Sequence, residues 1–440
     1  MQNQKWEYSA ERPSEDYWTS LEEDGELEAH RARTFLTEIR KCTEQMRYGS
    51  SAQQMRYGSN DGSVCLIAPS SYHLELRPHW IEFANALSQH QYRLNCLSED
   101  DNDSELHLFH MELSRPVLDL LSEALKSTFF KRFALYDNHC GQEGIDFALD
   151  YLENNDRLIQ FSIIDNPVNK VNLLRLCRII QTHPCLEKLT LSEANGDGVD
   201  GLDIPRLIME SGRNKLKYLD LSINDIWDNS VITGIDSSPF IEKFLSSNPC
   251  LEILNLSENY DMGDETGEAI AAALKYNTNL RGLVIANTGM TIDGWQALRK
   301  AVFDKTSLNS AADSNHTCMI EFPEEDDEFD EVRYINGHKD PNSEPQFNPN
   351  PIFVRQRKIY SILSARNRSL SNVDHFDEDM PVELLPDMLT SIQKYFNYYD
   401  QEDIPDTPPR DSQDVKPLSI VFEILQRWDK SLALFEALSS

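Results

Sequence analysis

The chain is 440 residues long and 40% hydrophobic, with 74 acidic against 41 basic side chains and a formal charge of −33. So acidic a balance disfavours nucleic acid and anionic lipid, which both need a basic surface, and makes a basic protein partner the more natural one. No run reaches the roughly 18 apolar residues of a membrane helix, and the polar start MQNQKWEYSAERPSEDYW fits neither a secretory signal nor an Arg-rich transit peptide.

Residues 1–63 read as a polar extension, partly disordered, with one helix at residues 27–46. QMRYGS stands there twice, at residues 45–50 and 54–59, as a local tandem duplication. A repeat then occupies residues 64–320. Its first copies are degenerate: Leu74 and Leu76 are assigned the inward strand positions of one, Leu106 and Leu108 those of the next. Their helices are expected at residues 80–89 and 116–127, the second with proline in its first turn, where no N–H is needed. Further copies start at Phe130, Leu158, Leu186, Leu216, Leu251, Leu280 and Leu308, spaced 28 to 35 residues apart. Six open on one apolar spacing (FKRFAL, LIQFSI, LEKLTL, LKYLDL, LEILNL, LRGLVI), and helical stripes such as Ala269, Ile270, Ala273 and Leu274 lie near the repeat ends.

A short strand plus a helix at this period is the signature of a leucine-rich-repeat solenoid. The expected fold is an α/β horseshoe with parallel strands on the concave face, helices outside, and a small C-terminal helical region. Over about residues 64–320 the chain resembles the ribonuclease-inhibitor-like class of leucine-rich-repeat proteins. That likeness implies a fold and leaves function open, because such repeats serve inhibitors, regulators and adaptors alike. The layout is also similar to that of uncharacterised leucine-rich-repeat proteins of diatoms and related algae, on the stretches SLNSAADSNHTC, RKIYSILSARNRSL and PLSIVFEILQRWDKSLALFEAL.

Strand alternation assigns each repeat residue a side. Leu219, Leu221, Leu254 and Leu256 point inward, and Asn138, Asn166, Asn224 and Asn259 hold the ninth repeat position as backbone-bonding fold elements. Ala194 and Thr288 break that series. The intervening side chains face the concave surface, and among them Arg132, Tyr136, Ile164, Lys188, Tyr218 and Ile253 are the candidate partner contacts. Two repeats carry insertions, and Trp227 in the second is a further candidate. Asn195, Asp197, Asp200 and Asp203 in the first hint at calcium, but Val199 and Asp200 stand where an EF-hand loop needs a ligand and a glycine. An acidic solvated loop is the reading.

Beyond the repeats, residues 321–331 hold eight acids in eleven positions and a Pro/Asn-rich stretch follows, so 321–351 reads as an extended linker. Residues 352–440 read as a helical cap with helices at 353–365, 382–398 and 418–438. Residues 353–370, which include the first, carry Arg355, Arg357, Lys358, Arg366 and Arg368 without an acid, and that helix is expected to dock on the protein's own acidic surface. MPVELLPDMLTSI is similar to the start of an F-box through Pro381, Glu383, Leu384 and Leu385, which implies a ubiquitin-ligase substrate receptor. Repeats followed by an acidic segment resemble Ran GTPase-activating proteins in architecture, which implies a GTPase regulator.

Phosphate-loop, nucleophile-elbow and zinc-protease motifs are missing, and His139 with Cys140, or His316 with Cys318, is too little for a zinc site. Eight cysteines without paired spacing fit reduced thiols in a cytoplasmic, alternatively nuclear, protein. The expected function is a monomeric, non-enzymatic interaction scaffold with no cofactor or metal, binding a protein through its concave sheet and repeat-edge loops.

Overall fold

A computed structural model describes residues 8–24, 26–48, 63–70, 72–94, 104–138, 140–199, 203–212, 215–224, 226, 238–323, 329–336, 350–368, 384–399 and 420. The chain divides into two compact units, Met1–Ile226 and Trp227–Ser440.

In the first unit, strands β1 (Val64–Ser70), β2 (Glu105–Met111), β3 (Arg132–Tyr136), β4 (Gln160–Ile164), β5 (Lys188–Ser192) and β6 (Tyr218–Asp220) pair in parallel and in chain order. Parallel neighbours require a crossover, and a helix supplies each one. After helices α1 (Glu15–Asp24) and α2 (Glu26–Tyr48) come α3 (Arg77–Leu94), α4 (Arg115–Leu125), α5 (Gly141–Asn154), α6 (Lys170–Thr182) and α7 (Asp203–Gly212). The result is an open, solenoid-like α/β array. Phe133, Leu135, Phe161, Ile163, Leu189 and Leu191 point to the helix side and are fully buried. Phe133 stacks on Phe161 of the next strand at 5.9 Å between ring centroids. The helices return an apolar stripe, such as Leu173, Leu176 and Ile180 of α6.

Two expected strand positions are corrected. Leu74 and Leu76 lie in a 3-10 turn that runs straight into α3, with Leu74 69% exposed, and the strand of that repeat is β1, whose Val64 and Leu66 point inward. Both segments alternate, but HLEL abuts the helix and leaves no room for the turn a strand needs before it. The helix expected at residues 27–46 is present as α2; α1 before it was not expected, and α2 packs on β1 and α3. Phe35 of α2 packs on Trp80 of α3 at 5.3 Å between ring centroids, and Cys42 Sγ donates to Cys65 O on β1 at 3.1 Å. A helix over an edge strand blunts a surface that would otherwise template association.

The second unit holds α8 (Ser238–Ser246), β7 (Ile253–Asn255), α9 (Gly263–Leu274), β8 (Gly282–Val284), α10 (Ile292–Val302), α11 (Leu308–Asp313) and β9 (Met319–Ile320), with β7, β8 and β9 parallel. Leu308, expected to open a strand, opens α11 instead, and Ile320 of β9 takes the place beside Leu283. Within the expected linker, α12 (Asp330–Asn336) is helical, and Phe329 stacks on Phe322 at 5.1 Å. Helices α13 (Pro351–Arg368) and α14 (Leu385–Tyr399) follow. The basic helix α13, expected to dock on the protein's own acidic surface, meets both acids and backbone carbonyls among the described residues, and its Ser361 hydroxyl donates to Glu331. Arg355 Nε donates to Ala312 O at 3.3 Å and its Nη1 meets Asp387 at 2.6 Å, while Lys358 Nζ donates to Asn315 O at 2.6 Å. The expected helix at 418–438 lies outside the described residues, Ile420 excepted. Among the described residues no helix is long and apolar enough to cross a membrane.

Candidate functional site

Strand pairing aligns the outward side chains of the first unit into rows that cross the strands. The first row is Glu105, Arg132, Gln160, Lys188 and Tyr218; the second is His107, Ala134, Ser162, Thr190 and Asp220; the third is Ile67, Phe109, Tyr136, Ile164 and Ser192. The middle of the second row is a floor of small side chains, Ala134, Ser162 and Thr190, each under one tenth exposed, between His107 and Asp220. The third row is an apolar ridge on the side of the sheet that the helices leave bare. Phe109 and Tyr136 meet at 5.5 Å between centroids, and His110 sits edge-on to Tyr136 at 5.1 Å. Ile67 at the end of the ridge is half exposed.

Five of the seven expected contacts therefore share this face: Arg132, Tyr136, Ile164, Lys188 and Tyr218. Arg132 Nη1 and His107 Nε2 both approach Glu105 at 3.5 Å. Burial holds the His107 pKa below its usual value, against Glu105, which raises it, while Arg132 adds to the lowering. The Tyr218 hydroxyl donates to Asp220 Oδ2 at 3.3 Å, and burial first, then that carboxylate, raise its pKa and keep it a donor. Asp220 Oδ1 in turn accepts from Ser222 N–H at 3.0 Å and Ser222 Oγ at 2.7 Å. Lys188 is exposed. Ile253 belongs to the second unit, half-buried on β7, and Trp227 lies outside the described residues.

Just past the third row the backbone turns through a left-handed residue in the five repeats from β2 to β6: His110, Asp137, Asp165, Glu193 and Ile223, with φ between 47° and 56°. This corner brings Asp137, Asp165 and Glu193 to one rim of the face. His110 Nδ1 reaches Asp137 Oδ2 at 3.0 Å. The insertion at residues 193–203 ends on Asp203, whose carboxylate meets Lys170 and, at 2.8 Å, Arg206. Among the described residues no three His, Cys, Asp or Glu side chains converge as a metal site requires.

Compared with known proteins, the chain matches no family model and no curated protein.

His107, Phe109 and Ile67 were missing from the sequence-based list of contacts. The signal for the first two was present, because placing Leu106 and Leu108 inward puts His107 and Phe109 outward by alternation. Ile67 was hidden by the misplaced first strand. In the segment similar to an F-box, Leu384, Leu385 and Met388 are buried and α14 packs on α13, so their apolar surface is already engaged.

Proposed function

We propose that the chain is a non-enzymatic interaction scaffold of the leucine-rich-repeat type, similar to the ribonuclease-inhibitor-like class, that binds a protein through the open face of its first unit. The observation that carries this reading is the bare ridge of Ile67, Phe109, Tyr136 and Ile164, four large apolar side chains in register on adjacent strands. Clustered aromatic side chains with arginine nearby are the usual anchors of protein interfaces. A strand–helix array with short strand corners and a buried asparagine at four of the turns (Asn138, Asn166, Asn224 and Asn259) supports the repeat type. Cytoplasmic residence is part of the proposal, because buried, unpaired thiols such as Cys42, Cys140 and Cys177 suit a reducing compartment.

The double variant Phe109→Ser/Tyr136→Ser tests it. Both side chains lie on the bare face, so circular dichroism should be unchanged while a partner captured from native lysate by the wild type is lost. A partner set identical for the two proteins contradicts the reading.

A further inference from the structure

We propose that the open face of the first unit receives one amphipathic α-helix of a partner protein, laid across the strands, with basic residues along one flank and acidic residues along the other. This rests on the protein-binding reading above and names the kind of partner.

The relief of the face selects a helix. The small side chains Ala134, Ser162 and Thr190 form a trough between the apolar row and the row of Arg132, Lys188 and Tyr218. The two flanking rows are four residues apart on each strand, about 13 Å at the rise of an extended chain. A helix with its side chains is about 10–12 Å across. Strands about 4.8 Å apart make this small-residue floor about 10 Å long from β3 to β5, closed by His107 on β2 and Asp220 on β6, and the whole face from β2 to β6 about 19 Å, or about 13 residues of helix.

An extended segment suits this face poorly. A strand needs a sheet edge to pair its own N–H and C=O groups. The β1 edge lies under α2, where Cys65 O already accepts from Cys42 Sγ at 3.1 Å. A face offers side chains alone, and a helix arrives with its backbone already satisfied.

Charge sets the flanks. One rim carries Asp137, Asp165 and Glu193, held there by the left-handed corner, and the opposite rim carries Arg132 and Lys188. Asp137 is answered by His110 and Arg132 by Glu105. Asp165 and Lys188 have no ion-pair partner among the described residues, so they are the charges a ligand would meet.

The probe is a labelled synthetic peptide of about 16 residues, helical, with leucines on one face, lysines on one flank and glutamates on the other. Its control carries two interior prolines that forbid the helix. Fluorescence anisotropy against the full-length chain should show the helical peptide bound and the proline peptide at least about a hundredfold weaker. Phe109→Ser/Tyr136→Ser should abolish binding. Lys188→Glu, at an exposed site, should weaken the mixed-flank peptide about threefold and improve a version with lysine on both flanks. Equal binding of the proline peptide, indifference to Lys188→Glu, or no binding of any helical peptide overturns the inference. If peptides fail while capture from lysate still depends on Phe109 and Tyr136, the helix falls and the protein-binding reading stands. If capture is also indifferent, that reading falls too.

Discussion

Lys358 shows how far a single side chain can depart from its sequence-based assignment. It has no exposed surface, donates Nζ to Asn315 O, and meets His316 Nδ1 at 3.1 Å. His316 Nε2 bonds to Ala312 O at 2.9 Å, which places the ring proton on Nε2 and leaves Nδ1 to accept from the lysine. Burial lowers the Lys358 pKa from 10.5 to about 7, and burial followed by the Lys358 charge lowers that of His316 from 6.5 to about 3. Both groups therefore bind protons more weakly in the folded chain than in the unfolded one. Folding is penalised progressively as pH falls from 10.5 to 7 through the lysine, and again from 6.5 to 3 through the histidine. Urea midpoints measured from pH 10 down to pH 7 should fall for the wild type and fall less for Lys358→Met, which fills the same space without a charge. Parallel curves for the two proteins would show that Lys358 is not the buried titrating group. A basic helix in an acidic chain reads as seeking carboxylates. Beside the carboxylate of Asp387 it also meets carbonyls at the end of α11, and the last carbonyls of a helix lack intrahelical partners.

At the scale of elements, two polar ladders hold the turns. After β3, β4, β6 and β7 an asparagine is buried at the corner. Asn166 Oδ1 accepts from Asn138 N–H at 3.0 Å, and Asn224 Oδ1 accepts from Ala194 N–H at 2.9 Å, so these two amides satisfy the backbone of the preceding repeat. Asn224 Nδ2 also donates to Leu191 O and, at 3.2 Å, to Ser222 O. Asn224→Ala should therefore strand several buried backbone groups and cost about 2 kcal/mol in a urea titration. A loss below about 0.5 kcal/mol, the size of a neutral surface change, would remove the ladder from the stability of the array. This ladder was legible because one residue type recurs at one repeat position. The second ladder was not. Before the strands, Asn155, His183, Asn277 and Asn315 cap the turn; for example, Asn277 Oδ1 accepts from Leu280 N–H at 2.8 Å and His183 Nδ1 from Leu186 N–H at 3.0 Å. There an imidazole replaces an amide, so no single residue type marks the position. Inward leucines were legible from period alone. β1 and β9 were not, the one because two adjacent runs alternate, the other because two residues are too few to show alternation.

Over the whole molecule, the excess of acid over base leaves a face of mixed charge around an apolar ridge. Net charge sets solubility and the rate of encounter with a basic protein, while the ridge and trough set what stays bound. The outward positions of β3 to β6 were legible in the sequence, because the repeat fixes their register. The grouping of those positions into a trough with opposite charges on its rims was not, since it depends on which residues align across strands. The most direct measurement places a photo-crosslinking side chain at Ile164, on the ridge, and in a second protein at Leu174, 42% exposed on α6 of the helix side. Irradiation in native lysate should yield a discrete protein adduct from position 164 and none from position 174. An adduct formed only from position 174 would place the working surface on the helices and contradict the account.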